Sequence, residues 1–204
     1  YLSLYQYEKI PLPFINGKPD LETQKKIVVI LEKAEQLKEK RKKTLELLDE
    51  YLKSVFNEMF LNKGFKVKEL NEISEIVMGQ SPPGNSYNEE RKGTPFFQGK
   101  AEFTDKYPVI KKWTTKPSKL ALPNSILISV RAPVGDVNLC NVKCCIGRGL
   151  ASIRPTKGVS TLQYLYFSLQ SIKDKIGYLG SGSTFKAINS KQLASLKISA
   201  PPLE

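Results

Sequence analysis

The sequence predicts an α+β protein: a small mixed β-sheet domain with helices, preceded by one long coiled-coil-forming α-helix. Three observations predict it. Apolar residues recur at 3- and 4-residue steps through residues 21–62, with no Gly or Pro before Gly64. From Phe65 that period gives way to short β-prone runs punctuated by Gly, Pro and Asn. The charge divides at the same place, with 12 Lys/Arg against 10 Asp/Glu in residues 1–63 and 20 against 10 in residues 64–204.

Residues 1–20 form a Pro-rich lead-in, Lys9-Ile10-Pro11-Leu12-Pro13, a short insert, then Pro19-Asp20 before Leu21-Glu22. The chain's last residues, Lys197-Ile198-Ser199-Ala200-Pro201-Pro202-Leu203-Glu204, echo it, and Leu203-Glu204 follows Leu21-Glu22 by 182 residues. That period is too long for a solenoid and suits a duplicated domain with its linker. Residues 1–20 are therefore expected to be the tail of a preceding domain, and 198–204 the start of a second copy of the helical region.

The long helix is expected over 21–62. Its seam runs Ile27, Ile30, Ala34, Leu37, Thr44, Leu48, Tyr51, Val55 and Met59, interrupted by Arg41, with charged residues on the other faces. Such a rod is roughly 60 Å long. It cannot bury its whole stripe on one small domain, so Ile27, Ile30, Ala34, Leu37, Leu48, Tyr51, Val55 and Met59 are expected to pair with another helix. The alternative is packing against its own domain. Leu45, Leu47, Leu52, Phe56 and Phe60 add apolar surface to the C-terminal half, which is expected to dock on the following domain.

The domain over 63–197 shows strand-like runs at Ile73–Val77, Pro95–Phe97, Ser125–Val130 and Leu150–Ile153. Residues 160–171 read as a buried helix capped by Ser160 or Thr161. A Gly/Ser-rich loop, Gly180–Thr184, leads to Lys186, Asn189 and a short helical stretch ending near Leu196.

Composition narrows the function. With 40% hydrophobic residues the chain can bury a core, and no run reaches the roughly 18 apolar residues of a membrane span. Cys140, Cys144 and Cys145 are odd in number and read as free thiols, which predicts a cytoplasmic location. A closed zinc site needs four ligands, and the chain has no histidine, so no metal or cofactor is expected. Serine- and cysteine-based triads of the usual kind lack their base. Pro82-Pro83 lies between Ser81 and Gly84, not in the Asn/Asp-Pro-Pro-Tyr/Phe setting of an adenine methyltransferase. No Glu-x-Lys follows Pro19-Asp20 at a nuclease-like spacing, and no phosphate loop is present. No catalytic residue is expected. The basic excess of the globular part favours a polyanionic partner, because neutralising phosphates releases counterions.

Three polar stretches suit nucleic-acid contact. The first, Gly79–Asn88, carries Gln80, Ser81, Asn85, Ser86 and Tyr87; the second holds Gln98 and Lys100, followed by Lys111, Lys112 and Trp113; the third holds Ser183, Thr184 and Lys186. Gln and Asn pair with adenine edges, and Arg or Lys with guanine. Arg131 and Arg148 join these candidates, with internal salt bridges to residues such as Asp136 as their alternative. Each stretch also reads as an ordinary turn.

Four of these segments together carry a resemblance. Gly79-Gln80-Ser81-Pro82-Pro83, Pro95-Phe96-Phe97-Gln98-Gly99-Lys100, Ile128-Ser129-Val130-Arg131-Ala132-Pro133-Val134-Gly135-Asp136 and Cys145-Ile146-Gly147-Arg148-Gly149-Leu150-Ala151 resemble the specificity subunit of type I restriction–modification enzymes. The Pro-rich lead-in and the helix start at Glu22-x-Gln24-Lys25-Lys26-Ile27 extend the likeness to nearly the whole chain. The resemblance implies a non-catalytic subunit whose two target recognition domains each read half of a split site in double-stranded DNA, spaced by two antiparallel helices. It further implies methylation (M) subunits that modify adenine and a restriction (R) subunit as partners. On that pattern residues 63–197 match one recognition domain, 21–62 one conserved helix, and 198–204 the start of a second conserved region. With one domain and one helix, the chain is expected to be a fragment, a split half or a homodimer through antiparallel helices. The alternatives are a non-DNA scaffold that dimerises through its helix, and the recognition domain of a separate DNA methyltransferase.

Overall fold

The computed structural model describes residues 13–61, 63–180 and 187–202; the lead-in through Leu12, the candidates Ser183, Thr184 and Lys186, and the final Leu203-Glu204 lie outside the described residues. Asn16 and Gly17, both at positive φ (51° and 75°), close a two-residue hairpin between β1 (Phe14–Ile15) and β2 (Lys18–Pro19). Asn-Gly is the pair that such a turn demands. Asp20 then caps α1 (Leu21–Phe56), its Oδ1 accepting the Thr23 N–H at 3.0 Å. The Thr23 hydrogen bonds hold the Asp20 carboxyl below its ordinary range.

Helix α1 has 36 residues, or about 54 Å. It passes into a five-residue π-helical stretch, Asn57–Leu61, and Gly64 at φ 68° then turns the chain. Packing divides the chain between Leu52 and Lys53, so the end of the helix belongs with the globular part. There Phe56 meets Tyr164 and Phe167, and Phe60 meets Tyr164, with ring centroids 5.1–6.1 Å apart. Docking is confined to the last turns: Phe56 and Phe60 pack on the domain, whereas Leu45, Leu47 and Leu52, expected to join them, are exposed, because they lie before the helix reaches it. Along the rest of α1 the apolar residues remain in water.

The globular part comprises β3 (Val67–Glu69), α2 (Leu70–Ile73), β4 (Ser74–Met78), β5 (Tyr87–Asn88), β6 (Thr94–Phe97), β7 (Lys112–Thr114), β8 (Leu120–Ala121) and β9 (Ser125–Ser129). It continues through β10 (Val137–Cys140), β11 (Cys144–Ile146), β12 (Leu150–Pro155), α3 (Leu162–Ser171), α4 (Lys173–Leu179), α5 (Ser190–Ala194) and β13 (Lys197–Ser199). The run expected as a strand from Ile73 begins instead at Ser74, because Ile73 closes the single turn α2. There the Glu69 N–H donates to the Glu72 carboxylate at 2.6 Å. Thr161 caps α3, accepting the Tyr164 N–H at 3.3 Å.

Two sheets form the body. One is antiparallel, in the order β10-β9-β12-β4; the other runs β5-β7-β6-β11-β8, with β6 and β11 parallel. The middle of β9 explains the layering. Ile126 and Ile128 point to one face and pack with Leu165, Leu169 and Ile153 under the helices. Leu127 points to the other face and packs with Phe97, Ile146 and Leu150 of the second sheet. All three are wholly buried. A strand covered on both faces reads as a continuous apolar run rather than an alternating one. Cys140, Cys144 and Cys145 are buried free thiols; Cys140 and Cys144 meet between the sheets with sulfurs 3.6 Å apart, and Cys145 faces Ser118.

The domain closes on itself. Strand β13 pairs antiparallel with β3, and the Ala200 N–H donates to the Lys66 carbonyl at 2.8 Å. The chain therefore enters and leaves this domain side by side.

Three glycines set how closely the sheets approach. A Cβ on Gly79 would lie 2.1 Å from the Gly147 carbonyl oxygen, and one on Gly149 would lie 2.6 Å from the Gln98 oxygen. One on Gly147 would lie 3.0 Å from Gln98 Cα. The neighbours are backbone and cannot swing away. Hydrogen bonds lock the junction: the Gly79 N–H donates to Leu150 (2.9 Å), Gln80 to Ile146 (2.9 Å), and Gly147 to Phe97 (2.8 Å).

An ion triad ties the layers beside it. Asp136, in the turn between β9 and β10, lies 2.6 Å from Lys100 Nζ and 2.5 Å from Lys173 Nζ. Burial pushes the Asp136 carboxyl up, but the two ammonium groups outweigh it and leave the carboxyl below its ordinary value of 3.8.

Two outcomes follow for stability. Gly79→Ala forces the junction apart and should cost about 1–3 kcal/mol in a urea melt, whereas Gly158→Ala, with open space at the same test position, loses only through its positive φ. A carboxyl depressed in the native state contributes its stability above its unfolded pKa and loses it as pH falls through the lower native value. Wild type should therefore lose more melting temperature between pH 7 and pH 3 than Asp136→Asn, which begins destabilised; parallel profiles would contradict the triad.

Candidate nucleic-acid interface

Strand direction brings the polar motifs together. Because β6 and β11 are parallel, Gln98 and Arg148 leave their strands at the same end. Strand β4 runs antiparallel to β12, with Met78 opposite Ala151, so Gln80 emerges where β12 begins. Strand β9 ends at Ser129 opposite Leu150, and the Val130 N–H donates to the Gly149 carbonyl at 2.9 Å, which puts Arg131 next along the same rim. Strand β7 starts beside the end of β6, with Lys112 in register with Phe96.

The exposed members of this rim are Gln80, Gln98, Arg131 and Arg148, with Asn85 on the adjoining loop and Lys111 and Lys112 on β7. Ser81 is half-buried, and its hydroxyl lies 3.4 Å from the Arg148 backbone nitrogen, tying the first motif to the fourth. Trp113 is half-buried opposite Asn88 and Pro95. The arginines do not pair with Asp136; among the described residues that carboxylate is taken by Lys100 and Lys173. The Arg131 and Arg148 guanidinium groups make no ion pair among the described residues.

Three candidates sit differently from their neighbours. Lys100 is held by Asp136. Ser86 is buried, and its hydroxyl donates to the Pro83 carbonyl. Tyr87 is half-buried and donates its hydroxyl to the Pro82 carbonyl. Residue type alone does not distinguish a side chain aimed at solvent from one spent inside its own loop.

The structure adds Ser118 and Lys119. The Ser118 hydroxyl donates to the Gln80 carbonyl, and the Lys119 carbonyl accepts the Ile146 N–H at 2.9 Å. This places the exposed Lys116-Pro117-Ser118-Lys119 turn beside Gln80. Its sequence signal was two lysines flanking a Pro-Ser turn just past Trp113.

Of the expected pairing residues, Ile27, Ile30, Leu37, Leu48 and Tyr51 on α1 and Met59 on the π-helical stretch are 46–66% accessible, Ala34 is exposed and Val55 is half-buried. Val28, Leu31 and Leu45 widen that apolar surface.

The comparisons with known proteins agree with this architecture. Residues 62–204 match the family described as type I restriction modification DNA specificity domain. A putative type I restriction enzyme MjaX specificity subunit of Methanocaldococcus jannaschii is 45% identical over 96% of this chain and 49% of its own length. Among solved structures, a chain of a type I R-M system studied for its assembly and conformational transition aligns at TM-score 0.72 with 34% identity, covering 99% of this chain and 55% of its own. The HsdS subunit of Thermoanaerobacter tengcongensis aligns at TM-score 0.68 with 32% identity, covering 98% and 54%. The chain thus spans about half the length of the relatives it matches. With the family match over the sheet domain and the likeness of helix and domain together to these structures, the chain belongs to the type I restriction–modification DNA specificity family.

Proposed function

We propose that residues 63–197 are a DNA target recognition domain that reads one half of a bipartite site through the major groove. The observation that carries this reading is the convergence of exposed Gln80, Gln98, Arg131 and Arg148 on one rim of a basic domain, around a junction where backbone contacts fix their origins. Gln presents a paired donor and acceptor to adenine, and Arg a paired donor to guanine, so this rim has the chemistry of direct readout. Lys111, Lys112, Lys116 and Lys119 flank it and would meet phosphates, fixing register without carrying sequence information. Ser183, Thr184 and Lys186 would extend the contact.

In the same reading the chain does no chemistry itself. It positions M subunits for adenine methylation and an R subunit for cleavage, in the cytoplasm. Helix α1 serves as the spacer. Its exposed apolar row is covered by a second helix of the same kind, either from a longer specificity polypeptide or from a second copy lying antiparallel.

Two measurements test this. With a duplex enriched from a random pool, Gln80→Ala, Gln98→Ala and Arg148→Ala should each cost roughly 1–3 kcal/mol and relax one base position if they read bases. Lys112→Ala should weaken all duplexes alike and lower the salt slope by about one. Sequence preference intact in all three rim variants would contradict the placement of the reading surface. For the spacer, Ile30→Glu with Leu48→Glu should convert a dimeric solution mass to a monomeric one and leave the domain's melting temperature in place. A wild-type chain that is monomeric at every concentration would contradict self-pairing.

A further inference from the structure

The loop that carries Gln80 and Asn85 contains two consecutive prolines, which supply no N–H and cannot be held by a strand ladder. A local turn, with the Ser86 N–H donating to the Pro83 carbonyl at 3.0 Å, and several side chains hold it instead. The Tyr87 hydroxyl donates to the Pro82 carbonyl at 2.9 Å, and the Tyr87 ring stacks on Phe96 with centroids 4.8 Å apart and planes 28° apart. The Ser86 hydroxyl donates to the Pro83 carbonyl at 2.6 Å and lies 2.8 Å from the hydroxyl of Thr114, which is wholly buried. Thr114 Oγ1 in turn accepts the Lys116 N–H at 3.2 Å, and the Ser118 hydroxyl caps the Gln80 carbonyl. The Pro82 carbonyl is thus held by the Tyr87 side chain, and the Pro83 carbonyl by both the hydroxyl and the backbone N–H of Ser86.

We infer that the Tyr87 and Ser86 hydroxyls are positioning groups that set base specificity without meeting a base, by holding residues 80–85 in the shape that presents Gln80 and Asn85. This rests on the DNA-reading role proposed above. A loop already in its bound shape binds at full strength, whereas one that populates the shape in a fraction of molecules binds more weakly by that fraction. Lysine contacts to phosphate do not depend on the loop, so sequence-blind affinity is untouched.

Tyr87→Phe keeps the ring and its stack on Phe96 and deletes only the hydroxyl; Ser86→Ala deletes the other hydroxyl and leaves Thr114 Oγ1 to accept the Lys116 N–H. The experiment measures amide hydrogen exchange at residues 84–87 in the free protein. It also measures association and dissociation rates for the duplex that wild type enriches from a random pool and for a scrambled duplex. The expected result is faster exchange confined to the loop and a loss of about three- to tenfold in affinity for the enriched duplex. That loss should be carried by the association rate, with scrambled affinity unchanged. A loss carried by the dissociation rate would make Tyr87 a direct contact and overturn the inference. Unchanged exchange, or an equal loss on both duplexes with a lowered melting temperature, would overturn it as well. If wild type enriches no duplex, the DNA-reading role itself fails, and the exchange measurement still decides whether the hydroxyls order the loop.

Discussion

Three backbone segments meet at Gly79, Gln98 and Gly147–Gly149 at separations that leave no room for a Cβ, and the surface above them depends on that approach. The parallel pairing of β6 with β11 and the antiparallel pairing of β4 with β12 bring the segments to one rim. The glycines then let the rim close until backbone hydrogen bonds of 2.8–2.9 Å form across it. A side chain on Gly79 or Gly149 would spread the strand ends and with them Gln80, Gln98 and Arg148. Reading a base edge with two hydrogen bonds requires the side chain's origin to be fixed within a fraction of an ångström. Close backbone packing supplies that fixity where longer loops would not.

The rest of the domain supports this rim from below. Strand β9 is buried on both faces, so Ile126, Leu127 and Ile128 join the helical layer to the second sheet through one strand. Asp136 performs the same service in polar form, linking Lys100 beyond β6 to Lys173 at the start of α4. The pairing of β13 with β3 brings the domain's entry and exit together.

Much of the architecture was legible because it rests on period. Helix α1 keeps one apolar seam for more than thirty residues without Gly or Pro, and tertiary context has little power to override such a signal. The apolar runs of β9 and β12 were equally plain. Strands β5, β7 and β8 were not, because two- and three-residue strands take their conformation from their neighbours rather than from their own residues. The Asn16-Gly17 hairpin carried a clear local signal that went unread beside the longer Pro-rich pattern. For the candidate site, residue type and motif singled out the polar segments, yet the convergence of Gln80, Gln98 and Arg148 depends on a parallel strand pair that no local pattern announces. Ser86, Tyr87 and Lys100 show the converse limit: each lies in one of those segments, and the fold turns its polar group to an internal partner.

The claim that this rim meets DNA is tested most directly by titrating the isotope-labelled chain with its enriched duplex and following the side-chain amide signals of glutamine and asparagine. The account predicts that the Gln80, Gln98 and Asn85 NH2 resonances shift with the enriched duplex and not with a scrambled one, while those of Gln24 and Gln36 on α1 stay in place. Shifts confined to α1, or identical responses to both duplexes, would contradict it.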